Sequence, residues 1–438
     1  MEHIKNLKTG IKYKNTPIGK IPVDWELVQL GDICEEIYRY PTYYNIKYVE
    51  QDGVPEVRGE LIKNNGELSS DPSEYRYISK ETSANFPRTI LHEGDFVLSV
   101  RGTMGKIGYI PDRLENANMT ANLMRISPDR IKVYPLWLKQ FFLSDFFQKP
   151  LEEASSATTI KTIKAPELKA IELPLPLLSE QKKMAEILTT VDEAIEKTDQ
   201  IIEKTKEVKK GLMQKLLTRG IGHKKFKKTE IGEIPENWEV MKLEKVCDEI
   251  YRYPTYYNIQ YVEQDCGVPE VRGGLIKDNG ELSSDLSEYR YISKETSFKF
   301  QRTILHEGDF VLSVRGTMGK IGYIQSYLEN ANMTANLMRI SPNREEVNPL
   351  WMKQFFMSDF FQRRLDAASS ATTIKTIKAP ELKEIELALP PLNEQKQIAW
   401  ILSSVDEEIE KETNHKEQLE VLKKGLMQVL LTGKIRVS

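Results

Sequence analysis

Apolar side chains recur every seven residues along 179–217, a stretch without proline. One row of the repeat holds Met184, Val191, Thr198, Thr205 and Leu212. A second row, three residues further on, holds Ile187, Ala194, Ile201 and Val208, and Leu188, Ile195 and Ile202 widen it. Rows at this spacing predict a coiled-coil helix whose seam joins the first row to the second. At about 1.5 Å per residue such a helix spans roughly 55 Å, which is longer than a small domain is wide.

The same pattern returns at 393–431, with a more polar centre. Its rows are Ile398, Val405, Glu412, Leu419 and Leu426, and Ile401, Glu408, His415, Leu422 and Val429. The polar residues at mid-length predict a weaker seam there. Because one chain carries two such helices, we expect them to pair with each other within the molecule.

A tandem duplication explains the recurrence. Segments 37–127 and 250–341 differ by ten substitutions and one inserted residue, Cys266, and 155–169 is repeated without change at 369–383. We therefore predict two domains that are each followed by one long helix. The predicted parts are a domain at 1–178, a helix at 179–218, a second domain at 219–392 and a second helix at 393–432.

Inside each copy the pattern mixes strands with helices. Segments 96–102, 106–110 and 120–127 have the composition of strands, and the first two flank a glycine-rich turn, RGTMGK. Segment 135–155 begins with proline and predicts one helix, with an apolar face of Leu136, Leu138, Phe142, Phe146 and Leu151. The prediction is an α+β fold in two near-identical globular domains.

Composition adds limits on the class of protein. Hydrophobic residues make up 40% and charged residues 29% of the chain, and the formal net charge is −3. There is no apolar run of roughly 18 residues and no secretory signal, so we expect a soluble cytoplasmic protein without membrane attachment. The three cysteines and five histidines lack disulfide or metal-ligand spacing, which predicts no cofactor.

One region is strongly basic. Segment 204–228 holds ten lysines and arginines against a single acidic residue, Glu207. A solvated helix end and a phosphate-binding patch both fit this run, and the sequence does not choose between them.

Sequence motifs of common enzymes are absent. There is no GxxxxGK[ST] phosphate loop, RGTMGK has different spacing, and no Asn-Pro-Pro-aromatic motif of amino-methyltransferases occurs. The repeated His92 and His306 fit surface turns better than catalysis. A stand-alone nuclease or methyltransferase is therefore disfavoured.

Two repeated clusters suit nucleic-acid recognition. They are YRYPTYYN at 38–45 and 251–258, and ENANMTAN at 115–122 and 329–336. Arginine and asparagine can read base edges, tyrosine can stack, and lysine can neutralise phosphates, although tyrosine and asparagine are also common in plain loops and turns. The candidates of the first copy are Arg39, Tyr43, Tyr44, Asn45, Arg58, Arg101, Thr103, Lys106, Asn116, Asn118, Thr120, Asn122 and Lys161. Those of the second copy are Arg252, Tyr256, Tyr257, Asn258, Arg272, Arg315, Thr317, Lys320, Asn330, Asn332, Thr334, Asn336 and Lys375.

Over nearly its whole length the chain resembles the specificity subunits of type I restriction–modification systems. The resemblance is carried by the domain–helix duplication, by VRGTMGKIG in each copy, and by the helix entries IELPLPLLSEQKKMAEIL at 171–188 and IELALPPLNEQKQIAWIL at 385–402. It implies two target recognition domains separated by antiparallel helices, in a pseudo-twofold arrangement, with each domain reading half of a bipartite site on double-stranded DNA.

The resemblance also implies partners. Such a subunit is not catalytic; it docks two modification (methyltransferase) subunits, and the full complex adds two restriction (translocase/nuclease) subunits. Glu180, Gln181, Glu394 and Gln395, at the helix entries, are the expected partner contacts.

Members of that family usually carry two dissimilar recognition domains, whereas these are almost identical. Two near-identical recognition domains predict an interrupted palindrome with the same half-site on opposite strands. A helical scaffold that binds only proteins, or an orphan or inhibitory DNA-binding subunit without restriction partners, remains open as an alternative.

Overall fold

The computed structural model describes residues 11–39, 46–101, 104–155, 162–252, 259–315, 318–368 and 376–437. The chain forms two compact units: the first runs up to Asp199 and resumes at Asn414, and the second spans Gln200–Thr413. Both boundaries fall inside a long helix. Each unit therefore combines one globular domain with segments of both long helices.

Short strands and helices alternate through the first domain. Its strands are β1 (Tyr13–Thr16), β2 (Gly19–Pro22), β3 (Glu26–Gln29), β4 (Cys34–Arg39), β5 (Val54–Val57), β6 (Arg76–Ile78), β7 (Phe96–Ser99), β8 (Ile107–Tyr109), β9 (Asn118–Met119), β10 (Leu123–Pro128) and β11 (Glu172–Leu175). The helices are α1 (Lys80–Ala84), α2 (Pro135–Phe142), α3 (Asp145–Ser155), α4 (Ala165–Lys169) and the long α5 (Leu178–Arg219).

The main sheet of the first unit is antiparallel and has the order β4-β10-β7-β8. A smaller sheet, β6-β5-β9, contains one parallel pair, β5 with β9. β1 and β2 form a hairpin, and β3 pairs with β11, the strand that leads into α5. This last pairing ties the beginning of the domain to the beginning of its helix.

The second domain repeats this plan. Its strands are β12 (Phe226–Thr229), β13 (Gly232–Pro235), β14 (Glu239–Lys242), β15 (Cys247–Arg252), β16 (Tyr261–Val262), β17 (Gly267–Val271), β18 (Arg290–Ser293), β19 (Phe310–Ser313), β20 (Ile321–Tyr323), β21 (Asn332–Met333), β22 (Leu337–Pro342) and β23 (Glu386–Leu389). The helices are α6 (Lys294–Lys299), α7 (Pro349–Met357), α8 (Asp359–Ala368), α9 (Ala379–Lys383) and the long α10 (Leu392–Leu430). The main sheet has the order β15-β22-β19-β20. The predicted α+β fold with two long helices is confirmed.

Each core includes apolar side chains from a helix that belongs to the other half of the sequence. In the first unit Trp25 and Trp137 are fully buried, and Leu430 of α10 lies in the same cluster. In the second unit Trp238 is fully buried in a cluster that contains Leu216 of α5. Neither core is complete without a segment that is distant in the chain.

Part of the predicted seam of α5 is exposed. Met184 and Thr198 face inward as expected, and so do Leu188 and Ile202 of the row predicted to widen the seam. Ile201 and Val208, which were predicted to line the seam, are 47% and 58% exposed. The row that starts at Ile187 and the row that starts at Leu188 both fit the heptad spacing beside Met184. The Leu188 row holds the bulkier leucine and isoleucine side chains, so its burial removes more apolar surface from water.

The helix predicted at 135–155 is divided into α2 and α3 at Ser144. The Ser144 hydroxyl donates to the Phe141 carbonyl at 2.6 Å, and its own carbonyl accepts from the amide of Phe147. A serine side chain competes with the helical backbone for hydrogen bonds, which is why it ends one helix and begins the next. The division leaves Phe146, predicted on the buried face, 39% exposed.

Asp192 joins three parts of the first unit. Its carboxylate accepts a hydrogen bond from Gln140 Nε2 of α2 at 2.7 Å and pairs with Lys423 Nζ of α10 at 2.6 Å. One heptad further along α5, Asp199 pairs with Lys416 at 2.7 Å. The partner lies seven residues earlier in α10, so the two helix segments run antiparallel in this unit.

Asp406 of α10 holds the equivalent place in the second unit. It accepts from Gln354 Nε2 of α7 at 2.8 Å and pairs with Lys209 Nζ of α5 at 2.5 Å. We call Asp192 and Asp406 the bridging aspartates, because each links its domain to both helices.

Buried polar side chains fix the start of each long helix. Gln181 accepts from the Tyr134 amide at 2.7 Å and donates to the carbonyls of Pro176 and Lys132 at 2.9 and 3.2 Å. Gln395 makes the same three kinds of bond in the second unit. These bonds set the angle at which the helix leaves its domain.

The adjacent glutamates use different cations in the two units. Glu180 accepts from Trp25 Nε1 at 2.9 Å and from Arg436 Nε at 2.7 Å, and Arg436 also pairs with Asp24. Asp24 and Glu180 raise the pKa of Arg436. In the second unit a histidine takes the place of this arginine.

There, Glu394 accepts from Trp238 Nε1 at 2.9 Å and contacts His223 Nε2 at 2.8 Å. A charged or polar group from the end of one helix thus meets a glutamate at the start of the other in both units. Within the ranges that the structure describes, no helix is long and apolar enough to cross a membrane.

Replacing a bridging aspartate should loosen its own unit. Asp192→Ala leaves Lys423, 15% exposed, and the Gln140 amide without their acceptor. Breaking such a partly buried pair from one side costs about 2 kcal/mol. Urea unfolding should show this loss for Asp192→Ala and Asp406→Ala.

The exposed neighbours Glu193 and Glu407 supply matched controls, and their alanine variants should unfold like the parent. Equal unfolding of all four variants would contradict the bridging role.

Candidate nucleic-acid interface

Polar and cationic side chains converge at one end of the main sheet of the first unit. β4 and β7 end there and β10 begins there, as the registers Met124↔Arg39 and Leu123↔Ser99 show. β8 begins at the same end, because the Ser99 amide donates to the carbonyl of Lys106 at 2.9 Å. The antiparallel topology thus brings together candidates from three separate segments of the chain: Arg39, the neighbouring pair Arg101 and Lys106, and Asn122.

The second unit forms the same cluster. Arg252 is paired with Met338 and Ser313 with Leu337, and the Ser313 amide donates to the carbonyl of Lys320 at 2.8 Å. The equivalent side chains are Arg252, Arg315, Lys320 and Asn336. We call each set of four the sheet end of its unit.

Charge is concentrated at the sheet end. Arg101 and Asn122 are exposed, and Arg39 is half-buried. Burial, and after it the positive charge of Arg101, lowers the pKa of Arg39. Two guanidinium groups that feel each other's charge are stabilised when an anion such as a phosphate lies between them.

Arg58 and Thr120 border the sheet end of the first unit. The Thr120 amide donates to the Val57 carbonyl at 3.1 Å, which places β5 and the start of β10 side by side. Arg58 follows β5, and a Cβ on the next residue, Gly59, would lie 3.4 Å from Ser99 Oγ. The Thr334 amide makes the same bond to Val271 in the second unit, beside Arg272.

Asn118 and Asn332 lie in the interior, and each is only 2% exposed. Asn118 Nδ2 donates to Ser83 Oγ at 3.2 Å, and Asn332 Nδ2 donates to Thr303 Oγ1 at 2.7 Å. Both were predicted to bind DNA; the structure places them inside the smaller sheet instead. Asn118 belongs to β9, whereas Asn122 lies in the exposed turn between β9 and β10.

Asn116 and Asn330 lie away from the sheet end. Their φ values of 64° and 66° mark the left-handed region that asparagine adopts in turns. The Asn116 amide donates to the carbonyl of Leu91, which precedes β7, so this turn lies at the opposite end of the sheet. His92 is on the same turn, 52% exposed, with Nδ1 at 2.7 Å from Glu115.

The expected partner contacts are all engaged within their own units. Glu180 is 3% exposed, and Gln181 and Gln395 are fully buried. Glu394 is occupied by Trp238 and His223. Glu180, Gln181 and Gln395 are therefore out of reach of a partner protein in this arrangement, and the Glu394 side chain is only 11% exposed.

Several members of the basic run are paired within the second unit, namely Lys206 with Glu203, Lys209 with Asp406, Lys210 with Asp359 and Arg219 with Glu233. This favours the solvated helix end over a dedicated phosphate patch. The remaining candidates lie outside the described residues: Tyr43, Tyr44, Asn45, Thr103, Lys161, Tyr256, Tyr257, Asn258, Thr317 and Lys375.

Catalytic chemistry finds little support in the described part of the chain. There, no group of histidine, cysteine, aspartate and glutamate side chains is placed to hold a metal ion. Burial raises the pKa of the Cys34 and Cys247 thiols to about 12, which keeps them protonated and unreactive near neutral pH.

Two acidic neighbours of the sheet end are not among the residues predicted from the sequence. Glu60 pairs with Arg58 at 2.7 Å in the first unit, and Asp278 pairs with Lys320 at 2.7 Å in the second. Glu60 and Asp278 are two of the positions at which the copies differ. That difference was the available signal, but the sequence alone does not tell which side chains these acids contact.

Comparison with known proteins agrees with this geometry. A family model described as the type I restriction modification DNA specificity domain matches twice, at residues 22–207 and 235–421. Two specificity subunits from Methanocaldococcus jannaschii are similar over almost the whole chain. The putative MjaX subunit is 32% identical over 97% of both chains, and the MjaVIII subunit is 32% identical over 96% of this chain and 95% of its own.

Solved structures share the fold. The S subunit of a type I system from M. genitalium aligns with a TM-score of 0.54 at 14% identity, covering 95% of this chain and 98% of that one. A chain from a study of assembly and conformational transition of a type I R-M system also aligns at 0.54, with 19% identity, covering 94% and 99%.

Alanine substitutions should separate the interior asparagines from the surface ones. Asn118→Ala and Asn332→Ala remove buried hydrogen bonds and should each lower the free energy of unfolding by about 1–3 kcal/mol. The exposed Asn122→Ala and Asn336→Ala should change it by less than about 0.5 kcal/mol but weaken binding to duplex DNA. Unfolding and DNA titration of the same four variants measure both effects.

The opposite pattern, with interior variants that fold normally and lose DNA binding, would contradict this assignment.

Proposed function

The chain belongs to the family of type I restriction–modification DNA specificity subunits, and from that premise we propose that each sheet end reads one half of a bipartite site on double-stranded DNA. The protein is a non-catalytic recognition subunit. The observation that carries the proposal is the repetition of the same sheet end in both units, with the same residue types in the same places.

The side chains at the sheet end divide into two roles. Lys106 is suited to a phosphate, a contact that holds a protein on the duplex without reading its sequence. Arg39 and Asn122 can form paired hydrogen bonds with guanine and adenine edges in the major groove. The predicted tyrosine-rich segments follow directly after Arg39 and Arg252 in the sequence and remain candidates for base contacts.

Partner subunits would dock on the outer faces of the long helices. Ile201 and Val208 of α5 and Leu422 of α10, expected in the seam, are exposed, and Trp400 of α10 is 72% exposed. Exposed apolar side chains on a helix favour burial against another protein. We propose methyltransferase subunits as the occupants, two per chain, with two restriction subunits joining through them in a cytoplasmic complex.

Spacing would follow from the long helices. Antiparallel pairing of the helix segments in the first unit, together with two near-identical recognition domains, supports the same half-site on opposite strands. The proposed target is an interrupted palindrome with a fixed number of unread base pairs at its centre.

Selection of bound duplexes from a random library tests this proposal. The purified subunit with its methyltransferase partner should enrich one short sequence and its reverse complement at a constant separation. Two unrelated half-sites would contradict the palindrome. Enrichment of no sequence at all would contradict DNA recognition and leave a protein-binding scaffold.

A further inference from the structure

Two of the ten substitutions between the copies fall beside the sheet ends. From the first copy to the second, one removes a carboxylate and the other adds one. Glu60 in the first unit is replaced by Gly274 in the second, which removes a carboxylate next to an arginine. Asn64 is replaced by Asp278, which adds a carboxylate near a lysine. At these two positions each unit therefore has one acidic residue, Glu60 in the first and Asp278 in the second.

In the first unit the arginine is the paired cation. Arg58 Nη1 is bonded to Glu60 Oε2 at 2.7 Å, and its Nη2 donates to the Glu74 carbonyl at 2.6 Å. Lys106 Nζ contacts only the neutral carbonyl of Ile62, at 3.3 Å, and pairs with no carboxylate among the described residues. The Lys106 ammonium is therefore not occupied by an ion pair and can contact a phosphate.

In the second unit the lysine is the paired cation. Lys320 Nζ bonds Asp278 Oδ1 at 2.7 Å, and this hydrogen bond lowers the pKa of Asp278. Arg272 retains the bond from Nη2 to the Glu288 carbonyl, at 2.7 Å, but forms no ion pair with a carboxylate within the described ranges. The total charge around the two sheet ends is the same, while the available cation differs.

The internal segments outside the described residues add no carboxylate to this comparison. Residues 40–45, 102–103 and 156–161, and their copies at 253–258, 316–317 and 370–375, contain no aspartate or glutamate. A carboxylate bonded to a cation occupies its donor and also repels an approaching phosphate, so it weakens that cation as a backbone contact.

We propose that the two domains hold the DNA backbone through different cations: Lys106 in the first unit and Arg272 in the second. This rests on the proposed function, since it assigns phosphate contacts to the same two sheet ends. The base-reading residues are shared, so both domains read the same half-site. The two domains contact the phosphate backbone through different residue types. Each half of the palindrome therefore depends on its own cation.

Four alanine variants test the proposal, with each copy serving as the control of the other. Lys106→Ala and Arg272→Ala should weaken binding to the selected duplex about tenfold and reduce the slope of log affinity against log salt by about one. Lys320→Ala and Arg58→Ala should change affinity by less than about threefold. Arg58 and Arg272 make the same backbone bond, so a purely structural loss would appear in both.

Transfer of the second unit's acidic pattern to the first unit provides a second test. The double variant Glu60→Gly, Asn64→Asp gives the first unit the acidic pattern of the second. In that background, sensitivity to alanine should move from Lys106 to Arg58. Equal effects of Lys106→Ala and Lys320→Ala, or a transplant that moves nothing, would overturn the proposal while leaving sequence-selective binding intact. Loss of that selectivity in the parent protein would instead overturn the proposed function.

Discussion

The structure depends on the ion pairs that the bridging aspartates make with lysines of the opposite helix. Asp192 reaches Lys423 and Asp406 reaches Lys209, across more than two hundred residues of chain in one case and almost as many in the other. Each carboxylate also accepts from a glutamine of its own domain. A domain, its own helix and the other helix are therefore fixed at one point in each unit, and the apolar rows on either side of that point pack around it.

The sheet ends inherit their geometry from this arrangement. β3 pairs with β11 just before α5, and Gln181 and Gln395 hold the helix starts, so the domain cannot rotate freely about its helix. Within the domain, antiparallel pairing of β4, β10 and β7 aligns residues from three distant segments. A rigid sheet is a better platform for reading base edges than an isolated loop, because the side chains are positioned before the DNA arrives.

Much of this fold follows from the sequence, because the duplication and the heptad spacing are strong signals. The sequence does not decide which of two neighbouring rows of α5 is buried, since Ile187 and Leu188 both fit the repeat and only the opposite helix discriminates between them. It also does not separate Asn118 from Asn122, because nothing in the polar segment ENANMTAN shows that β9 ends at Met119 and leaves Asn122 in an exposed turn. The buried Glu180 and Gln181 have the composition of a surface, and their partners lie far away in sequence.

The most direct test of the account shortens both long helices by one heptad. Deleting 199–205 together with 410–416 removes both members of the pair Asp199–Lys416 and preserves the bridging aspartates. Each helix becomes about 10 Å shorter, which corresponds to roughly three base pairs of duplex. Selection from random DNA should then return the same half-sites with a gap about three base pairs shorter. The parent gap, recovered unchanged with the shortened protein, would contradict a helix-defined spacing between two readers.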